Sequence, residues 1–241
     1  MIAGMPGAGK TLLALWYVAN MKLDALVFSA DSDEHTVRNR VAASLTATPT
    51  DEIERMEDVF GEDHYIKQIR EGTGNLSFSW EPAPTLDDIG LELLAYEELW
   101  GKPPEVVVID NLMNVVGEGE SWEGMKESFK FLHHLARKSN AGVFVLHHTS
   151  EAGDSGRKPP NPEYPQPRRH IQGKLSQLPE TILTTASDGH HRFRVACVKN
   201  RSGPSHPNAD SYVDMFVDFP TMTLFDTQQE YAMAQTRRGI Q

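Results

Sequence analysis

The segment Gly4-Met5-Pro6-Gly7-Ala8-Gly9-Lys10-Thr11 fits the pattern G-x-x-x-x-G-K-[ST], and it constrains the chain more than any other feature does. Such a loop works only between a buried strand and the first turn of a helix. Its glycines let the backbone wrap round a phosphate with the N–H groups pointing inward, and the following helix adds the positive end of its dipole. The downstream flank meets that requirement, because Leu12-Leu13-Ala14-Leu15-Trp16-Tyr17-Val18-Ala19 reads as a buried helix. Upstream, only Met1-Ile2-Ala3 remain for the strand, so the expectation is that any domain normally preceding such a loop is absent from this chain. Gly4, Pro6, Gly7, Ala8, Gly9, Lys10, Thr11 and Leu12 are the candidate nucleotide-binding residues. Lys10 is placed to reach the β- and γ-phosphates. Thr11 offers a hydroxyl to Mg2+, which keeps most of its waters and takes one or two protein oxygens.

A chain of 241 residues suits one α/β domain with a full core and is short for two. The expected division is a single domain over residues 1–226 and a polar, dispensable tail over 227–241. The one cysteine, Cys197, lies in the apolar run Val195-Ala196-Cys197-Val198 and has no partner for an intramolecular disulfide, as in a reducing compartment. Without a signal peptide or a long apolar run, the expected location is cytoplasmic, with no membrane partner. A net charge of −11 argues against a generally nucleic-acid-coated surface, but the charge is uneven. Residues 1–150 carry 24 acidic and 12 basic side chains, whereas residues 151–241 carry 10 and 11, so a local positive face belongs to the later part.

Short apolar runs alternate with helical patterns along the chain. Ala25 to Ala30 reads as a strand ending in Asp31-Ser32-Asp33-Glu34; Val37, Val41 and Leu45 then recur at helical spacing up to the break at Thr48-Pro49-Thr50. A second, acidic helix with Ile53, Met56, Val59 and Phe60 inward ends at Gly61. Leu76 to Trp80 is strand-like, and Thr85-Leu86-Asp87-Asp88 resembles the start of a helix that buries Leu86, Ile89, Leu93 and Trp100. Glu105-Val106-Val107-Val108-Ile109-Asp110 shows no alternation, as expected of a parallel strand buried on both faces. Trp122, Met125, Phe129, Leu132 and Ala136 lie at helical spacing before the strand Gly142 to Leu146, which ends at His147-His148. This order implies a doubly wound, mostly parallel sheet with ligands at the carboxyl ends of the strands. A Pro- and Arg-containing loop over 151–169 follows, and Thr181 to Ala186, Arg192 to Lys199 and Tyr212 to Val217 add C-terminal strands.

The acids at strand ends complete a nucleotide site. Asp110 would hold the Mg2+ shell opposite Thr11, and Asp31, at a neighbouring strand end, would orient or deprotonate the attacking water. Asp33 and Glu34 compete for that role but also suit the start of the next helix. His148 would sense the γ-phosphate; since adjacent strand residues face opposite ways, only one of His147 and His148 can do so. The pairs His133-His134 and His190-His191 lack a further ligand at helical metal-site spacing, so no transition metal is expected. Lys199-Asn200-Arg201-Ser202-Gly203 presents two cations one residue apart, a suitable pair for stabilising a transferring phosphoryl group.

Taken in order, the phosphate loop, the strand ending in an acid, V-V-V-I-D, the strand ending in His, Gly173-Lys174-Leu175 and K-N-R-S-G resemble the RecA-type ATPase core of DnaB-like replicative helicases over roughly residues 1–226. K-N-R-S-G is the most discriminating of these. The resemblance implies a RecA-like P-loop NTPase that uses ATP and Mg2+. Lys10, Thr11 and Asp110 would bind nucleotide and metal, Asp31 would be the catalytic acid, and His148 the sensor. Lys199 and Arg201 would reach a neighbouring subunit's site. Two positions depart from the family, which usually has Glu where this chain has Asp31 and Gln where it has His148. The family's amino-terminal domain and linker helix are also not recognisable here.

The implied partners are single-stranded DNA and further copies of the chain, as a ring, hexameric in the family, or a filament, with a separately encoded replication or recombination protein as a further partner. Gly117 to Trp122 and Glu151 to Gly173 would line the DNA channel, with Arg168, Arg169 and Lys174 on DNA phosphates; Arg40 is a candidate nucleotide-binding residue, for contact with the base of the bound nucleotide. The expected activity is that of an ATP-driven helicase or translocase. The alternatives are a RecA-type recombinase or annealing ATPase, and a regulatory ATPase that acts on a protein partner.

Overall fold

In the computed structural model, which describes residues 1–116, 122–150 and 160–239, the apolar runs become the middle of a nine-stranded sheet. Strands β1 (Ile2–Gly4), β2 (Ala25–Ser29), β3 (Leu76–Ser79), β4 (Val106–Asp110), β5 (Gly142–His148) and β6 (Thr181–Ser187) are parallel. Strands β7 (Arg192–Asn200), β8 (Val213–Asp218) and β9 (Thr223–Phe225) extend the sheet antiparallel. The order across the sheet is β3-β2-β4-β5-β1-β6-β7-β8-β9.

Burial follows from the lack of alternation in the sequence. Every residue of β2 and β4 is buried, and successive side chains enter different cores. Leu26, Phe28, Val107 and Ile109 pack with Ile89 of helix α5 (Leu86–Trp100) and with Phe129 and Leu132 of α6 (Trp122–Ser139). Ala25, Val27, Val106 and Val108 pack on the other side with Ala14, Leu15 and Val18 of α1 (Lys10–Asn20) and Val37 of α2 (Glu34–Thr46). Each large side chain so buried contributes roughly 1.5–3 kcal/mol.

Local chemistry sets the helix starts. The Asp33 carboxylate accepts the Thr36 N–H at 2.9 Å and opens α2. At α5, the Thr85 hydroxyl accepts the Asp88 N–H at 3.1 Å and the Asp88 carboxylate accepts the Thr85 N–H at 2.9 Å. Each such cap is worth about 1 kcal/mol.

Helix α3 (Thr50–Phe60) ends at Gly61 as expected, but its inward stripe is not Val59 and Phe60, which are 72% and 61% exposed. The buried positions are Ile53 and, one turn later, Glu57. Glu57 takes the inward place because Arg38 and His35 on α2 meet its carboxylate at 3.3 and 3.1 Å. The short helix α4 (Ile66–Gly72) follows. Trp100 is likewise not buried; its indole N–H donates to the Ser77 hydroxyl at 3.1 Å near the surface.

The polar tail contains helix α7 (Gln228–Arg237), started by a capping box on Thr227. Tyr231 stacks on Phe216 of β8 at 5.8 Å, and the Arg238 guanidinium meets the buried Asp218 carboxylate at 2.6 Å. The Thr221 hydroxyl and the Gln235 amide also donate to Asp218. Arg238→Ala leaves that buried carboxylate short of its cation and is expected to cost about 2 kcal/mol, less than a wholly isolated buried charge because two neutral donors remain. A thermal melt should drop by about 4–8 °C; an unchanged melting temperature would show the helix to be an appendage. No helix among the described residues is long and apolar enough to cross a membrane.

Candidate functional site

The carboxyl ends of β1, β5, β4 and β2 lie side by side, and each delivers one part of the site. In register, Gly4 sits beside His148, and Ser29 sits beside Asp110. The loop after β1 carries Gly7 and Gly9 with φ of +74° and +75°, and Gly9 opens α1 from this left-handed conformation. The Lys10 ammonium is folded back over the loop, donating to the carbonyls of Gly4 at 3.2 Å and Met5 at 3.0 Å. The Thr11 hydroxyl donates to Asp110 Oδ2 at 2.6 Å, joining the first turn of α1 to the end of β4 across 99 residues of sequence.

Asp31, just past β2, lines a cavity of about 370 Å3 together with Pro6, Asn111, Met113, His148 and Gln172. Of the two residues that compete with it, Asp33 is engaged as the cap of α2 and Glu34 starts that helix. His148 and His147 separate as strand alternation requires. His148 lines the cavity, while His147 is fully buried with Nε2 donating to the Gln172 carbonyl at 3.0 Å.

Electrostatics in this corner are tightly balanced. Burial pushes the Lys10 ammonium below its ordinary pKa, and Asp110 and Asp31 pull it back. Burial pushes the Asp110 carboxyl up, opposed by the Thr11 hydrogen bond; Asp31 pushes it further, and Lys10 and Arg40 lower it. A buried carboxylate and a hydroxyl at hydrogen-bond distance, beside a second carboxylate, form a hard oxygen donor set that fits Mg2+.

Lys199 and Arg201 are at the opposite end of the sheet. Strand β7 runs antiparallel to β6, pairing Phe193 with Ser187 near the phosphate loop and Asn200 with Thr181 at the far end. The seven residue steps from Phe193 to Asn200 span roughly 20 Å, so neither cation reaches its own chain's loop. Lys199 Nζ donates to the Ser176 and Gln177 carbonyls at 3.0 and 2.7 Å, and Arg201 pairs with Glu180 at 2.7 Å. Burial and then the neighbouring cations Arg201 and Arg168 push the Lys199 ammonium down. Arg168 is thus part of the same positive region, and Arg168 and Arg169 are both exposed in the turn at residues 168–170. The Lys174 side chain lies outside what the structure describes, as do residues 117–121 and 151–159 of the two channel-loop candidates.

Several residues of the site leave little mark in the sequence. Asn111 follows the strand acid and donates to Asp31 Oδ2 at 2.5 Å. Thr185 and Phe193 close the floor beneath the loop: a Cβ on Gly4 would lie 2.8 Å from Thr185 Oγ1, and one on Gly9 would lie 2.5 Å from the Phe193 ring. Gln172 comes from the far side of the Pro-containing loop. These contacts depend on strand order, which no local pattern encodes; only the position of Asn111 next to the strand acid is a usable signal.

Residues 1–154 match the AAA domain family. The chain is 30% identical to the Gene 65 protein of Mycobacterium phage L5, over 94% of this chain and 85% of that protein. It is equally similar to the Gene 65 protein of Mycobacterium phage D29, over 94% and 98%. Among solved structures, a DnaB-like replicative helicase described with its primase interactions superposes with a TM-score of 0.76 at 16% identity, covering 94% of this chain. This chain spans 58% of that helicase. A second solved structure, itself an ATPase domain, superposes with a TM-score of 0.74 at 15% identity, over 94% of this chain and 84% of that domain.

Proposed function

Because the chain belongs to the AAA domain family and has the RecA-type fold of DnaB-like helicase ATPase cores, we propose that it is an ATP-driven motor on single-stranded DNA, working as an oligomer with nucleotide sites between subunits. The observation that carries this reading is the pairing of a complete phosphate-side constellation with a cation pair at the far end of the same sheet. Lys10, Thr11, Asp110, Asp31 and His148 gather at one end, and Lys199 and Arg201 stand roughly 20 Å away. A site so divided is completed by a second copy. Residues 1–226 form the ATPase domain in this reading.

The loop N–H groups and Lys10 hold the phosphates, with Leu12 and the rest of the first turn of α1 fixing the approach. Thr11 and Asp110 would hold Mg2+, which would supply stabilisation of the negative charge on the phosphates. Asp31 takes the proton of the attacking water and His148 hydrogen-bonds the γ-phosphate, so that its loss is felt at β5 beside the loop. Arg201 and Lys199 of the neighbouring subunit neutralise the charge that develops on the transferring group. Arg168, Arg169 and Lys174 contact DNA phosphates and carry no sequence preference.

Steady-state ATP hydrolysis with and without single-stranded DNA at low salt, with Lys10→Ala as the blank, tests the proposal. Stimulation of about tenfold or more, falling steeply as salt is added, is the expected result, because phosphate contacts release counterions. Hydrolysis indifferent to DNA would replace the motor with an ATPase that switches a protein partner, a role the acidic surface of residues 1–150 would suit. With DNA stimulation in hand, electron microscopy with ATP and DNA separates a ring from a recombinase-like filament.

A further inference from the structure

Asp31 is one methylene shorter than glutamate, is exposed, and stands on the bend after β2 with no helix to fix its rotamer. A free aspartate there would sample several rotamers, only some of which bring a carboxylate oxygen to a bound water. One contact removes that freedom. Asp31 Oδ2 accepts from Asn111 Nδ2 at 2.5 Å.

The asparagine is itself immobilised. It is 4% exposed, and its Oδ1 accepts the backbone N–H of Met113 at 2.8 Å. A backbone N–H can meet only the oxygen of the amide, so the NH2 group is left facing Asp31. The turn that Asn111 caps, Leu112–Asn114, is in turn pinned by Leu112, which is 1% exposed in the core beneath α5 and α6. The two strand ends are also joined through the backbone, where the Ala30 N–H donates to the Asp110 carbonyl at 2.9 Å.

From this chain of contacts we infer that Asn111 is the positioning residue for Asp31, holding one carboxylate oxygen in a fixed bond and leaving the other directed into the cavity shared with Pro6 and His148. The inference rests on the reading of Asp31 as the hydrolytic acid. The asparagine supplies in this chain the fixity that the shorter acid lacks. Misplacement of a reacting group by about 1 Å costs on the order of 100-fold in rate, which sets the scale of the expected effect.

Asn111→Asp tests it with little change of shape. The variant is isosteric and keeps an oxygen for the Met113 N–H, so the turn retains its cap, but the donor to Asp31 becomes an acceptor. The expected result is a fall in kcat of about tenfold or more, with the Kd of a fluorescent ATP analogue unchanged; the new carboxyl, buried against Asp31, also lowers the melting temperature, so kcat and Kd are read well below it. In an Asp31→Asn background, adding Asn111→Asp should produce no further loss in the residual single-turnover rate measured with radiolabelled ATP. A kcat within about twofold of the parent, a Kd that weakens in step with kcat, or an equal loss in the Asp31→Asn background would each overturn the inference. Asp31→Asn alone keeps the two ideas apart. If it hydrolyses ATP at the parent rate, the acid assignment fails and the positioning role falls with it; if it is inactive while Asn111→Asp is normal, only the positioning role fails.

Discussion

Arg201→Ala is expected to lower ATP hydrolysis by about 10³-fold or more while leaving nucleotide affinity within a few-fold of the parent, because an arginine supplied across an interface acts on the transition state rather than on bound ATP. The fold keeps Arg201 away from its own chain's loop, so a role for it at a phosphate requires a neighbouring copy. Arg201 follows the last residue of β7, at the end of the sheet where Asn200 pairs with Thr181, whereas Gly9 rests on Phe193 at the other end. No side chain spans the roughly 20 Å between them. Its ion pair with Glu180 does not hold it back, since both side chains are about half exposed and such pairs are worth little. Lys10→Ala is expected to be inactive for the complementary reason: it empties the subunit's own loop of the charge that meets the phosphates. Mixing the two inactive proteins should then restore part of the activity, because some interfaces pair an intact loop with an intact Arg201. A mixture as silent as its components would sink the interfacial assignment and leave Arg201 a surface residue with a structural partner in Glu180.

What can be read from the sequence, and what cannot, divides along the range of the interactions. The phosphate loop, the fully buried strands β2 and β4 and the caps at Asp33 and Thr85 are local, so spacing alone reveals them. The acids at strand ends are legible for the same reason, since a buried parallel strand must end at the ligand side. Helix α3 is misread at Val59 and Phe60 because an ion cluster with Arg38 and His35 turns Glu57 inward, and a pattern that counts only apolar residues assigns that place to its neighbours. The tail reads as polar and dispensable, yet Asp218, 20 residues before Arg238, gives it a buried partner. Asn111 and Phe193 owe their roles to the side-by-side order of β2, β4, β5 and β1 and to the return of β7; apart from the place of Asn111 next to the strand acid, nothing local marks them.

The Phe193 contact makes the second large effect. Gly9→Ala is expected to destabilise the protein by about 2–5 kcal/mol and to abolish ATP binding. The first part of the cost is conformational, because Gly9 has φ +75° and ψ +25°, where an L residue pays about 1–2 kcal/mol. The second part is steric. The new Cβ would lie 2.5 Å from one Phe193 ring carbon and 3.3 Å from the next. The ring cannot yield, since Phe193 is fully buried among Leu12, Val217 and Leu224, and overpacking at such a site costs about 1–3 kcal/mol. Gly7→Ala supplies the comparison. Gly7 has φ +74° but no atom within 4 Å of an added Cβ, so it pays the conformational part alone. Nucleotide-free melts should therefore place Gly9→Ala below Gly7→Ala by about 4 °C or more. Equal melting temperatures would mean that the loop does not rest on Phe193. A clear gap would mean that β7, the strand whose far end carries Lys199 and Arg201, supports the phosphate loop at its near end, so that a subunit's own loop and the cations it would lend to a neighbour's site share one rigid strand.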